Sequence, residues 1–291
     1  MENNQNNNPL QSYFRQPAIY VKLPSGGTNY PPGTLDLPSN GEIPIYPMTA
    51  MDEVATRTPD ALFNGSAVAQ LIKSCVPNIK DPWAVPQVDI DLLFTSIRIA
   101  SYGHEMELTA QCPKCNESMD YAIDLRNIVD QIKSPDFNKT LRIKDLEFLF
   151  RPLRYSEMSE IAKSQFEQQK KMQMVSADEN APQQDKINVM SETLASLTKI
   201  TMESIVMAIT AIKVGTQTVT DRKQITEFMN NAETKLFSQV RDFLAGLRSE
   251  TETKPLSIQC RPDTCGDKKN CPKTFEQTFT LDMSNFFGQG S

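Results

Sequence analysis

Five cysteines in two groups carry the clearest chemistry in this chain. Cys112 and Cys115 lie in Cys112-Pro113-Lys114-Cys115, and Cys260, Cys265 and Cys271 follow far downstream. A thiolate is a soft ligand, and a CxxC knuckle facing a second cysteine group is the donor pattern of a tetrahedral Zn2+ site. Four of these five would fill such a site, with Cys112 and Cys115 as one pair. Cys271-Pro272 parallels Cys112-Pro113, but the distance from Cys271 to Asp282 suggests that it closes a second knuckle opened by Cys260, leaving Cys265 spare. The competing pairs are Cys260 with Cys265, and Cys265 with Cys271. A site saturated by four thiolates leaves no open position for water, so it would brace the fold and not catalyse. The alternative is a set of unligated buried thiols.

Strands must hold these groups. Met106–Gln111 and Met119–Leu125 alternate apolar and polar residues on either side of the first group, and Leu256–Gln259 and Phe275–Asp282 do so around the second. A period of two is the mark of a half-buried strand. Each cysteine group therefore sits at the tip of a predicted β-hairpin, and two such hairpins face to face form a module of the zinc-ribbon kind. Its halves are separated by well over a hundred residues.

The chain has 291 residues, a hydrophobic fraction of 39% and a net charge of −6. That length suits one large domain or two ordinary ones, and the modest apolar content predicts an extended or disordered part. An acidic surface disfavours broad nucleic-acid binding, which works by displacing counterions with basic residues. No run of 18 apolar residues marks a transmembrane helix. The start, Met-Glu-Asn-Asn-Gln-Asn-Asn-Asn, has neither the basic nor the apolar region of a signal peptide. The expectation is folding in a reducing cytoplasm, where clustered cysteines favour metal over disulfide. Cys75 stands alone in an apolar helical setting and reads as a buried thiol.

Along the chain the expected organisation is α+β. Residues 1–46 form an extended N-terminal arm, Asn/Gln-rich up to 18 and then dense in Pro and Gly, with its apolar residues offered to a partner. Residues 47–104 are N-terminal helices, among them one starting near Thr49, one after Thr58-Pro59, one from Ser66 to Cys75, and one capped by Asp89 and stopped by Gly103. Residues 105–155 hold the first cysteine hairpin and a second hairpin turned at Lys144-Asp145. Residues 156–248 read as an inserted helical bundle, including a helix over about 187–213 and a short one capped by Asp221. Residues 249–291 return with the second cysteine hairpin.

Catalytic motifs do not emerge. The single histidine, His104, has no nucleophile motif beside it and reads as a surface residue at a helix end. The sequence contains no GxGxxG, P-loop or HExxH pattern, and its carboxylates show no acid–base spacing. The methionine-rich run Gln168–Met174 fits either a partner-helix site or a solvated helix face with flexible core fillers.

One series of motifs resembles a known family. It comprises Pro47-Met48-Thr49-Ala50-Met51-Asp52-Glu53, Thr58–Gly65, Ser74-Cys75-Val76-Pro77-Asn78-Ile79, Asp89-Ile90-Asp91-Leu92-Leu93 and Ile97–Gly103. The series resembles the baseplate hub family of T-even-like contractile-tailed bacteriophages. The Cys-Pro-x-Cys tip and the closing Leu281–Phe287 are similar to members that carry cysteines. The resemblance spans about 47–125 and 256–287, and the enlarged 260–271 loop departs from the family's tight second knuckle. It implies a non-enzymatic structural subunit of the tail baseplate, assembled in the host cytoplasm and carried in the virion. Such a subunit would dock other tail proteins through its N-terminal arm and helical surfaces, with a structural Zn2+ and no small-molecule substrate or membrane. A tail assembly chaperone absent from the finished particle is the second reading. A zinc-ribbon nucleic-acid adaptor is a third, opposed by the acidic balance and by ribbon strands that lack interleaved aromatic and basic residues.

Overall fold

Pro44 interrupts neither the alternation of Ile43 and Ile45 nor their burial, because proline's fixed φ suits extended backbone. Strand β1 (Ile19–Lys22) pairs antiparallel with β2 (Glu42–Ile45), matching Ile19 to Ile45 and Tyr20 to Pro44. In a two-stranded ribbon a proline can face the open edge, so its missing donor is tolerated. The computed structural model describes residues 9–56, 65–113, 116, 118–177, 182–249, 255–260 and 274–277. Within them, Val21, Leu23, Ile43 and Ile45 pack into one core with helices α2 (Ser66–Cys75) and α3 (Gln87–Tyr102). The expectation that 1–46 lies outside the globular core therefore fails for the ribbon. Val21, Leu23, Ile43 and Ile45 are buried in that core, with Ile19, Tyr30 and Leu35 packed against it, whereas Leu10, Tyr13, Phe14 and Tyr20 stay mostly in solvent.

Helix α1 (Ala50–Thr56) opens on a reciprocal cap. Thr49 Oγ1 accepts from the Asp52 N–H at 3.2 Å, and Asp52 Oδ2 accepts from the Thr49 N–H at 2.8 Å. The helix expected after Thr58 falls outside the described residues. Asp89 is not the cap of α3. The helix starts two residues earlier, after Pro86, where the Gln87 N–H donates to the Leu153 carbonyl at 2.8 Å. Asp89 instead turns into the core and accepts from the Ser25 N–H (2.8 Å), the Ser25 hydroxyl (2.6 Å) and the Tyr30 hydroxyl (3.0 Å). That triple contact ties the Pro/Gly-rich segment to the helix.

Gly103 ends α3 with a positive φ of 88° and turns the chain into the hairpin of β3 (Glu105–Gln111) and β4 (Ser118–Asp124). Short helix α4 (Leu125–Val129) follows, with the Asp124 carboxylate accepting from the Arg126 N–H.

The middle of the chain departs from an all-helical insertion. Strands β5 (Leu141–Ile143) and β6 (Leu146–Phe150) turn at Lys144-Asp145 as expected, with Lys144 at φ 53°. Helices α5 (Tyr155–Ala177) and α6 (Gln183–Ala208) then pack as a helical hairpin. Helix α6 does not continue to 213. It ends at Ala208, and Ile209–Val214 is a strand, β7, that pairs with β6 (Phe148 opposite Ile212) and with β8 (Gln217–Val219). Two forces override the helical spacing of Ile205, Ile209 and Ile212. β-branched residues prefer extended backbone, and the Arg222 guanidinium collects the end carbonyls of Val206 and Ile209. The sheet order is β5-β6-β7-β8. Helices α7 (Arg222–Asn230, capped by Asp221) and α8 (Thr234–Ser249) close a second core around Phe148, Phe150, Ile212, Ile225 and Val240. The 141–150 hairpin thus belongs with the segment after it, not with the cysteine hairpin before it.

A strap joins the two cores. Tyr155 donates its N–H to Val85 (2.8 Å) and its hydroxyl to the Gly65 carbonyl (3.1 Å), and its ring stacks on Trp83 at 5.4 Å. Behind it, Arg151 grips Glu157 through both carboxylate oxygens. The fold is mixed helix and sheet, as expected for α+β. Among the described residues no helix is long and apolar enough to cross a membrane.

Candidate metal centre

The two cysteine hairpins are built alike and lie together. In the first, β3 and β4 run in register from Glu105 opposite Asp124 to Gln111 opposite Ser118, and Cys112 is the next residue. In the second, β9 (Leu256–Gln259) pairs with β10 (Thr274–Gln277), Gln259 lies opposite Thr274, and Cys260 is the next residue. Each cysteine thus follows the first strand of its hairpin at the same point. Alternation sends Met106, Ala110 and Met119 to the inner face of one hairpin and Ile258 and Phe275 to that of the other.

Cys112 is 0% exposed and Cys260 5%, and both belong to one small apolar cluster with Ala110, Met119, Ile258 and Phe275. Among the described residues the hairpins share no backbone ladder. They meet through side chains, and the Tyr121 hydroxyl crosses between them to donate to the Gln259 carbonyl at 3.0 Å. The tip of the first hairpin is tightened by the Asn116 N–H donating to the Cys112 carbonyl at 2.9 Å, with Asn116 in the left-handed region at φ 56°.

The structure brings Cys112 and Cys260 into one cluster. Cys115, Cys265 and Cys271 lie outside the described residues, and among the described residues no group of three or more His, Cys, Asp and Glu gathers as a metal site. The donor chemistry of Cys112 and Cys260 suits Zn2+: each hairpin brings one sulfur, buried where a lone thiolate would be poorly solvated and a metal-bound one would not. Cys75 makes the contrast. It is buried in the N-terminal core, and burial, reinforced by the Asp52 carboxylate, pushes its thiol up to about 12. A thiol of that kind stays protonated and inert, in line with the packing role read from the sequence.

Sequence reasoning missed two residues that the fold uses. Tyr121 bridges the hairpins, and its only sequence signal is an aromatic on an inward-facing strand position. Arg15, placed by the sequence in a disordered stretch, is fixed by five acceptors: the Pro47 and Ser74 carbonyls, the Ser74 hydroxyl, the Asp52 carboxylate and, at 3.9 Å, the Cys75 sulfur. His104 lies half-buried at the start of the first hairpin, where its carbonyl accepts the Leu125 N–H. Of the methionine-rich run, Met172 is half-buried and Met174 exposed. Further along the same helical hairpin Ile187, Met190 and Leu194 are exposed on α6.

A family model described as T4 bacteriophage base plate protein matches residues 21–280 of the chain. The matched span runs from β1 to beyond β10 and takes in both cysteine groups. No curated protein matches the chain, and no solved structure does.

Proposed function

The chain belongs to the T4 bacteriophage base plate protein family, and from that premise we propose that it is a structural subunit of the baseplate hub, fixed among neighbouring tail proteins and braced by one structural Zn2+. The family match over 21–280 carries this reading. It supports a virion tail component that works by contact and not by turnover. The hub assignment draws on the motif series at 47–103. Mass spectrometry of purified tails is expected to find stoichiometric copies of the chain. Its absence from finished particles would replace the subunit by an assembly factor.

The zinc proposal rests on Cys112 and Cys260 sharing one buried cluster. Four ligands from Cys112, Cys115, Cys260, Cys265 and Cys271 would hold the ion, with Cys265 the weakest candidate. A closed four-thiolate site supplies folding energy and no open coordination position. Elemental analysis of protein purified without added metal is expected to give about one zinc per chain. A folded sample with far less than a stoichiometric amount rejects the site. Docking would fall to the parts of the arm left exposed and to the exposed helical residues of α6, with no small molecule, membrane or nucleic acid required.

A further inference from the structure

The cysteine hairpins do not close on one another along their whole length. A cleft of about 400 Å³ runs between β4 and β9, with Tyr121, Ala122 and Ile123 as one wall and Leu256–Gln259 as the other. That volume falls within the ~300–1,000 Å³ of ordinary ligand clefts. The Tyr121 hydroxyl spans the cleft to reach the Gln259 carbonyl. Ala122 and Ser257 are exposed, so the cleft is open to solvent. The zinc proposal uses the hairpin tips and gives this space no role.

The β9 wall is an open strand edge. Among the described residues β9 pairs with β10 alone, and β4 with β3 alone. In an antiparallel pair, residues that bond across the ladder alternate with residues whose peptide groups point away from it. The Gln259 carbonyl is taken by Tyr121, so Gln259 is of the outward kind. Ser257, two residues back along β9, is then outward too, while Ile258 faces the ladder. An open edge beside an apolar wall is the geometry of strand addition, in which main-chain hydrogen bonds give affinity and alternate side chains fill the wall's hollows. A partner helix has its peptide groups already paired and cannot satisfy such an edge. The fitting occupant is an extended segment.

Charge narrows the occupant further. The lining residues themselves are uncharged. The four strands of the two hairpins carry Glu105, Glu107, Asp120, Asp124 and Glu276, and no Lys or Arg. Asp120 and Asp124 bracket the lining stretch of β4, and Glu276 lies opposite Ser257. Arg126, just past β4, is engaged with Asp124. A segment with an uncharged centre and Lys or Arg at its ends complements this frame, and an acidic one is repelled by it. We propose that an extended, basic-flanked segment of a neighbouring tail protein docks in this cleft by adding a strand to the open edge of β9. The proposal rests on the structural-subunit reading and names one of its contacts. Its test uses the isolated chain, so its failure leaves the virion measurement untouched.

The probe is the capped peptide Lys-Val-Thr-Val-Thr-Val-Lys, with a control carrying Glu at both ends, titrated into the full-length chain and read by fluorescence anisotropy. The Lys-ended peptide is expected to bind at least about tenfold tighter than the Glu-ended one, and added salt should shrink that preference. In NMR spectra its binding should shift the amide signals of Ser257 and Gln259. Ala122→Arg crowds the cleft and charges its wall, and should weaken binding about tenfold or more. Ser257→Ala keeps the edge and should bind as the wild type does. Ser257→Pro removes an N–H that the β9–β10 ladder does not use, and should abolish binding. An unchanged thermal melt verifies that each variant folds, and Ala122→Arg, at an exposed position, keeps the test open if the proline variant does not. Equal affinity for the two peptides overturns the proposal, as does binding indifferent to Ala122→Arg. A wild-type chain that takes neither peptide also overturns it, and leaves the cleft to another part of this chain.

Discussion

Two parts of this molecule are built on the same unit and hold it differently. In the N-terminal core the β1–β2 ribbon lies on α2 and α3, and 21 residues of that cluster are buried. The cysteine hairpins are also two-stranded ribbons; the base of the first reaches the N-terminal core through Met106 and Ile123, and toward their tips the two back onto one another with six described residues buried between them. A lone two-stranded hairpin is marginal in water. The first ribbon is stabilised by helices. Among the described residues the second pair buries little apolar area, and under the zinc proposal the metal supplies what packing there does not. One chain therefore contains a region whose stability comes from burial and one whose stability should follow a metal.

The largest expected effect tests that contrast directly. Chelation, or Cys112→Ala, should release β3–β4 from β9–β10 while the N-terminal core stays folded, because a structural zinc contributes on the order of 10 kcal/mol. Hydrogen exchange read strand by strand would show protection lost at Met119–Tyr121 and Ser257–Gln259 and kept at Leu71–Val76. Equal protection of both regions after complete chelation would break the comparison.

The next effect belongs to the N-terminal core. Asp89→Ala strands the Ser25 N–H, the Ser25 hydroxyl and the Tyr30 hydroxyl without their acceptor, and should cost about 2–4 kcal/mol in denaturant unfolding. Asp89→Asn keeps an acceptor and should cost much less. Burial raises the Asp89 carboxyl above its ordinary range, with the three donors pulling the other way. A folded-state value above the unfolded one favours the protonated form on folding. This group's contribution is therefore greatest on the acid side and falls as pH rises from about 4. Asn cannot titrate, so the stability gap between wild type and Asp89→Asn should shift with pH in that sense. A gap that moves the opposite way means that the hydrogen bonds outweigh burial.

A smaller effect is expected at the strap between the cores. Gly65 sits at φ 75°, and a Cβ there would lie 2.6 Å from Ser159 Oγ and 2.8 Å from Tyr155 Oη. Gly65→Ala should cost about 1–3 kcal/mol through backbone strain plus the forced shift. A loss confined to thermal stability of the whole chain, with no change in the hairpins' chelator sensitivity, would sharpen the division between the regions.

These regions also differed in how far they could be read in advance. The cysteine hairpins were legible because alternation and a CxxC tip point to one structure, and Cys112 and Cys260 do share a cluster. Their remaining ligands lie outside the described residues. In the N-terminal ribbon the density of prolines masks the alternation of Ile43 with Ile45, and the partner that buries them lies at positions 66–102. Asp89 was misread for a similar reason: a carboxylate near a helix start looks like a cap, and nothing local reveals Ser25 and Tyr30. The Ala208–Ile209 boundary was hidden by isoleucines whose spacing suits a helix, while the deciding Arg222 lies 13 residues on. Local signals located the elements, and long-range partners fixed their roles.

The smallest expected effect probes the base of the first hairpin, where charge and not burial is at work. Asp124 accepts from the Arg126 guanidinium at 2.6 Å and from the Arg126 N–H at 2.9 Å, and these contacts hold its carboxyl down at about 2. Glu105 lies directly opposite across the hairpin, where a like charge on the neighbouring strand is unfavourable. The folded value is depressed, so any contribution is present above the ordinary carboxylate range and fades as pH falls from about 4 toward 2. The group is exposed, water screens it, and little net stability should ride on it. Carbon-detected NMR titration of Asp124 is the direct measurement, with Arg126→Gln expected to bring the midpoint back up. If Asp124 in the wild-type chain titrates in the ordinary range or higher, the Glu105 repulsion prevails over the Arg126 contacts. The hairpin base would then be an electrostatic liability, and the zinc end would have to carry even more of the module's stability.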